Sequence, residues 1–326
     1  MTSRRFLLCF LLGQVALFAL AALLVSHGKM AFMNAEYPMW KSKETLIRHI
    51  GPGGTVLLGD SRAMAAFVPA DISEDFVNLA LGGATPIESY YLLQALLKAG
   101  HRPKTIMLSF APYHYELADT FWERAAKFDP EWFTKADIID VLAQAERLDD
   151  TRTLGSFLGS PPNHYPLALR LDLPSAYKGD LIPPPRPDRY WLNRRVFDQM
   201  LQTRGHHLFG TGERSTGLPD EATGKRFSPS PLMRHYLDRI FAVCAEQGMA
   251  VQLVTTPLPR TVAAPLAAVD YPADFNRYID GLPDSIDKRA ARLTFADDTM
   301  FGDSSHLNMR GARRFSAAMA DGRGVH

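Results

Sequence analysis

Residues Phe6 to Val25 read FLLCFLLGQVALFALAALLV, twenty consecutive positions with no charge and one amide, Gln14. About 20 apolar residues in a helix cross the hydrocarbon core of a bilayer. Arg4 and Arg5 precede the stretch, and such flanks favour the cytoplasmic side. Lys29, Lys41 and Lys43 lie beyond it and pull the other way. The predicted arrangement is single-pass in a cytoplasmic (inner) membrane, with everything after residue 28 on the extracytoplasmic, periplasmic side. A cleaved signal peptide is the alternative. Its apolar region is usually about 7–15 residues and ends in a small-x-small site, whereas this stretch is longer and runs into Val25-Ser26-His27. The expected organisation is an uncleaved anchor over residues 1–28, a juxtamembrane stalk with helical character over 29–50, and a domain over 51–326.

Lys and Arg number 36 against 35 Asp and Glu, a net charge of +1. A nucleic-acid partner is excluded as a class, because it calls for a strongly basic domain. The two cysteines are Cys9, inside the apolar stretch, and Cys244. They supply neither a disulfide framework nor a cysteine zinc site.

In the exported part, short apolar runs alternate with helical patterns. Thr55-Val-Leu-Leu58, Phe76-Val-Asn-Leu79, Thr105-Ile-Met-Leu-Ser-Phe110 and Ala250-Val-Gln-Leu-Val-Thr255 read as buried strands, and Arg292-Leu-Thr-Phe295 as a weaker fifth. Thr85-Pro-Ile-Glu88 is a capping box with proline at the first helical position. Leu232 to Gln247 places Tyr236, Ile240, Phe241 and Cys244 on one helical face. Asn308 can cap a last helix reaching about Ala320. Continuous apolar strands alternating with helices predict an α/β fold with a parallel sheet covered on both faces. From about 116 to 229 the alternation fails. Pro161-Pro162, Pro183-Pro-Pro185 and Pro187 mark an irregular insertion or cap.

Three clusters carry possible chemistry. Gly59-Asp60-Ser61-Arg62 follows the first strand, Asn78-Leu-Ala-Leu-Gly82-Gly83 follows the second, and Asp303-Ser-Ser-His306-Leu-Asn308 precedes the last helix. Ligands of open parallel sheets bind beyond the carboxyl ends of the strands, where the first two clusters must lie. A serine hydroxyl needs a base to become a nucleophile. His306 can be that base, and Asp303 can fix its tautomer and stabilise the imidazolium. The Ser61 and Gly83 N–H groups are candidate oxyanion donors.

These residues resemble the SGNH (GDSL) hydrolase superfamily over residues 52–115 and 230–320. Gly59-Asp60-Ser61 is similar to its first block, Gly83 five residues after Asn78 to its second, and Asp303-x-x-His306 to its last. The resemblance implies a flavodoxin-like three-layer α/β/α sandwich, a Ser-His-Asp triad, and ester hydrolysis or acyl transfer. Within the superfamily the layout is similar to membrane-anchored bacterial members of the DltD and alginate-acetylation kind. The third block departs. Its oxyanion asparagine is missing, and Phe110-Ala-Pro-Tyr113-His114-Tyr115 stands there instead. Losing one oxyanion donor costs about 100- to 1,000-fold, so Tyr113, His114 or a group from the insertion is expected to substitute, or hydrolysis is slow.

Other features carry two readings each. Arg62 binds a substrate anion or is a surface arginine at a helix start. Tyr165, Tyr177, Tyr190 and Trp191 stack on sugar rings or pack the cap. His206-His207 lacks a third metal ligand, and Gly210-Thr-Gly-Glu-Arg-Ser lacks the Gly-Lys-Ser/Thr of a phosphate loop, so no metal or cofactor is expected. The expected activity is serine-dependent O-acyl, most specifically acetyl, transfer on a cell-surface or secreted polysaccharide. That implies a membrane-embedded partner delivering the acyl group, which a single span cannot supply. The alternatives are an SGNH-type esterase acting on carbohydrate or lipid, and a non-catalytic scaffold or glycan-binding subunit.

Overall fold

The computed structural model describes residues 3–26, 32, 35–51, 53–116, 132–159, 189–215 and 217–321. Its helices are α1 (Ser3–Ser26), α2 (Tyr37–Ile47), α3 (Ser61–Ala66), α4 (Pro86–Lys98), α5 (Lys135–Arg147), α6 (Thr151–Gly159), α7 (Arg189–Gln202), α8 (Pro231–Glu246), α9 (Ala263–Ala267), α10 (Tyr271–Asp280) and α11 (Met309–Ala320). The strands are β1 (Thr55–Gly59), β2 (Phe76–Asn78), β3 (Thr105–Ser109), β4 (Ala250–Val254), β5 (Leu258–Pro259), β6 (Asp287–Ala290) and β7 (Phe295–Ala296).

The main sheet is five-stranded in the order β2-β1-β3-β4-β6, and every pairing in it is parallel. Successive strand residues point to opposite faces, so the apolar runs feed two cores. Val56, Leu58, Ile106, Leu108 and Leu253 join one cluster with Ile87, Leu92 and Leu93 of α4 and Leu232 and Ile240 of α8. Leu57, Met107 and Val254 join the other with Ala63 and Met64 of α3 and Phe315 of α11. The central strands β1 and β3 are almost wholly apolar and buried because both of their faces are covered. Thr85 caps α4 with the full reciprocal box to Glu88, and Asn308 caps α11 through the Gly311 N–H.

The fifth strand differs from expectation. The main sheet closes on β6, the polar sequence Asp287-Lys-Arg-Ala290, while Phe295 belongs to β7, paired with β5 in a separate two-stranded sheet. As an edge strand β6 is partly solvated, and that allows charged side chains where the inner strands carry apolar ones.

α1 is long and apolar enough to cross a membrane. The segment expected as a stalk is not set apart from the domain. α2 buries Met39, Trp40, Ser42, Lys43 and Leu46, and Trp40 stacks on Trp132 at 5.5 Å between ring centroids. The fully buried Lys43 donates to the carbonyls of Asn78 (2.7 Å) and Gly205 (2.6 Å). Burial drives its pKa well below that of an ordinary lysine.

Candidate active site

β1 ends at Gly59 because the chain must turn there against β3. A Cβ on Gly59 would lie 2.0 Å from the Ser109 carbonyl oxygen. Asp60 then caps α3: its Oδ1 accepts from the N–H groups of Arg62 (2.9 Å) and Ala63 (3.1 Å). Its Oδ2 accepts from the Ala111 N–H (2.6 Å) and from His114 Nδ1 (2.6 Å), so one carboxylate ties the β1 turn to the loop leaving β3. Burial works to raise the Asp60 pKa, but His114, Arg62 and the Ala111 N–H together hold it below the usual range. An ionised carboxylate only accepts, so His114 Nδ1 carries the proton. The bonds that build this turn leave the Ser61 N–H unused.

The loop before α11 supplies the other two residues. Phe301 and Leu307 form an antiparallel bridge, and the Gly302 N–H donates to the His306 carbonyl (2.9 Å). Within that closed loop Asp303 Oδ1 accepts from the Ser305 and His306 N–H groups at 2.9 and 2.7 Å. Both carboxylate oxygens face His306 Nδ1, at 3.0 and 2.9 Å, and His306 Nε2 meets Ser61 Oγ at 2.8 Å. Burial opposes ionisation of Asp303, yet the His306 hydrogen bond and the loop N–H groups bring its pKa down to about 2. With Asp303 ionised, Nδ1–H donates to it and Nε2 is left to accept from the serine hydroxyl. Ser61, His306 and Asp303, 245 residues apart in the chain from first to second, are thus in hydrogen-bonded series.

The remaining sequence candidates divide. Leu81 N–H donates to the Gly59 carbonyl (2.9 Å), so the chain beyond β2 runs beside the end of β1 and brings Gly83 to the same edge as Ser61. Gly83 has φ +66°, in the left-handed region. Tyr113 and His114 sit in a 3-10 turn (Pro112–Tyr115), with their rings 4.0 Å apart between centroids. Burial raises the Tyr113 pKa against a smaller opposing effect of Arg62, so its phenol stays protonated and can donate. His114 has its Nδ1 committed to Asp60, which leaves only Nε2 for any other partner.

Arg62 requires a correction. It is neither a surface arginine nor a guanidinium held open for a substrate anion. It is 3% exposed and pairs with Glu221 through two 2.8 Å bonds. Glu221 overcomes the burial of Arg62 and pushes its pKa above the usual value. Its carbon also lies 5.4 Å from the Tyr113 ring centroid.

Glu221 and Phe209 were not singled out from the sequence, and both come from the stretch read as an irregular insertion. The Phe209 ring stacks on His306, 4.6 Å between centroids and 28° between planes. Its segment is laced to the site by backbone. The His207 N–H donates to the Met64 carbonyl (3.4 Å), and the Gly212 N–H to the Gly302 carbonyl (3.2 Å). Gly210 and Gly302 cross so closely that a Cβ on Gly302 would lie 2.2 Å from the Gly210 carbonyl oxygen. The glycines flanking Phe209 and Asp303 were the available signal. His206 is bonded to the Ala65 carbonyl through Nε2 (3.1 Å), and burial lowers the pKa of His206 and takes that of His207 to about 4. No group of three metal-ligating side chains gathers among the described residues. Tyr165 and Tyr177 lie outside the described residues. The chain matches no protein-family model and no curated protein.

Proposed function

We propose that the protein is an SGNH-type enzyme that transfers O-acyl groups, acetyl in particular, to a cell-surface or secreted polysaccharide outside the cytoplasm. One observation carries the reading: the series Ser61 Oγ, His306, Asp303 with contacts of 2.8 and 2.9 Å, at the carboxyl edge of a parallel sheet. The strand order also has the 2-1-3-4-5 connectivity of flavodoxin-like α/β/α folds, and two cores on opposite sheet faces suit a three-layer arrangement. Arg4 and Arg5 before the apolar span favour an amino terminus in the cytoplasm.

Ser61 Oγ attacks the acyl carbonyl of a donor while its proton passes to His306 Nε2. Asp303 stabilises the imidazolium. The oxyanion forms at donors drawn from the Ser61 N–H, Gly83 and the Tyr113 hydroxyl. Collapse breaks the bond to the donor's leaving group, which takes the proton from His306, and the acyl group remains on Ser61. An acceptor hydroxyl then attacks this ester, gives its proton to His306, and leaves with the acyl group as Ser61 recovers its hydrogen. The donor on the outer face is supplied by a membrane-embedded partner.

Simple hydrolysis is the second reading, and the openness of the site favours it: the Asp303 side chain is 38% exposed, so water reaches the triad. Acceptor dependence decides. With labelled acetyl-enzyme from the full chain, added polysaccharide should speed loss of label and carry it away as a sugar ester. Loss at an unchanged rate, all as acetate, would leave an esterase.

A further inference from the structure

α7 sits where the membrane tether meets the domain. Phe32 packs edge-on against Tyr190 (5.9 Å) and Phe197 (5.9 Å) of α7 and Tyr37 (5.1 Å) at the start of α2. Asn193 of α7 donates to the Phe32 carbonyl, and Arg194 lies over the Phe32 ring at 4.9 Å. Phe32 is six residues beyond Ser26, the last residue of α1. Six residues reach at most about 20 Å. Phe32 is therefore held within that distance of the end of α1, and the first turn of α7 packs directly on it through Tyr190.

What that turn presents to solvent is unusual. Trp191 is 70% exposed, although tryptophan is normally well covered, and Leu192 beside it is also exposed. Arg195, one turn on from Trp191, is exposed too. The helix carries Arg189, Arg194 and Arg195 against a single acid, Asp198. Trp and Tyr concentrate at membrane–water interfaces, where their rings sit at headgroup level. Arginines near the surface are attracted to anionic lipids.

We infer that the first two turns of α7 form a second membrane contact, in which Trp191 and Leu192 enter the headgroup region and Arg195 engages anionic phospholipid. The inference rests on α1 being a membrane span. It adds a fixed orientation to that reading. A single anchor fixes only where the domain is attached, whereas a second contact sets which face the enzyme turns to the bilayer and to a donor-delivering partner. Tyr190 packs edge-on against Phe32, one of the two readings its sequence position carried.

The test uses the full chain reconstituted in vesicles of phosphatidylcholine and phosphatidylglycerol, with and without lipids brominated near the headgroup end of their acyl chains. The difference in emission between the wild type and Trp191→Phe isolates Trp191. An alkaline carbonate wash reports separately whether the chain is embedded. The expected result is a chain that survives the wash, with Trp191 emission quenched roughly twofold or more by brominated lipid, as for a ring at the interface. Arg195→Glu should weaken that quenching in the anionic vesicles. An embedded chain whose Trp191 is not quenched would overturn the second contact and leave the anchor standing. A chain released by the wash would overturn both. Trp191 emission that responds to soluble polysaccharide and not to brominated lipid would assign this face to glycan instead.

Discussion

Replacing Glu221 by Ala tests whether the site is built on the buried ion pair. Arg62 is 3% exposed and its guanidinium takes both Glu221 oxygens at 2.8 Å. Without Glu221 a permanent cation stays buried with no hydrogen-bonded counter-charge, only the nearby Asp60 carboxylate that is already bonded to its own turn and to His114, because arginine cannot shed its proton. Removing one partner of a buried pair costs about 3–5 kcal/mol. A domain of this size loses roughly 2 °C of Tm per kcal/mol, so the expected drop is about 6–10 °C. Replacing both partners by apolar residues, Arg62→Met with Glu221→Leu, should recover most of it, since such exchanges are often near neutral. The assay is thermal unfolding of the full chain in detergent, followed by circular dichroism at one scan rate. A Glu221→Ala protein that melts within about 1 °C of the wild type would refute the reasoning, because a fully desolvated pair cannot be that cheap to break.

Asp303 should show its role in both activity and acid stability. Asp303→Asn leaves an amide where Nδ1–H needs an acceptor and should lower turnover by about 1,000- to 10,000-fold, measured as ester hydrolysis, with the fold retained. Its pKa near 2 lies below the unfolded value of about 3.9, so the native state favours the ionised form. That stabilisation is complete above about pH 4 and is lost as pH falls through about 2; a urea-midpoint difference between wild type and Asp303→Asn should vanish there. With the side chain 38% exposed the amplitude is small. Phe209→Ala removes the ring that backs His306. An aromatic contact contributes about 0.5–1.5 kcal/mol, so turnover should fall by up to about tenfold with KM little changed. Tyr113→Phe should slow the reaction about 100- to 1,000-fold if the hydroxyl is an oxyanion donor; an unchanged rate would pass that role to a backbone group or to His114.

Which parts of the molecule could be read from the sequence follows from the range of the interactions that make them. β1 and β3 were legible because both faces of each are buried, so the apolar runs are continuous, and β2 and β4 because most of their residues still feed the two cores. The α4 capping box and the Asn308 cap were legible because a helix start is decided within three residues. Asp303 and His306 lie within one turn of loop, so their pairing was readable locally. β6 was missed because an edge strand tolerates Asp287, Lys288 and Arg289, and apolarity is the signal that finds strands. The Arg62–Glu221 pair spans 159 residues, and Phe209 approaches His306 from a polar, glycine-rich segment. Phe209 leaves only the close-packed Gly210 beside it as a local mark, and the ion pair leaves none. The same is true of Lys43, which looks like a solvated charge in the sequence but ties α2 to the carbonyls of Asn78 and Gly205.

The most direct test of the central claim is intact-mass analysis of the full chain, mixed with an activated acetyl ester and quenched early, beside Ser61→Ala. The predicted result is one acetyl adduct on the wild type, mapped to Ser61, absent from Ser61→Ala and strongly reduced in His306→Ala. Folded wild-type protein that acquires no adduct from a range of activated esters, or an adduct that persists in Ser61→Ala, would contradict a serine acyl-enzyme.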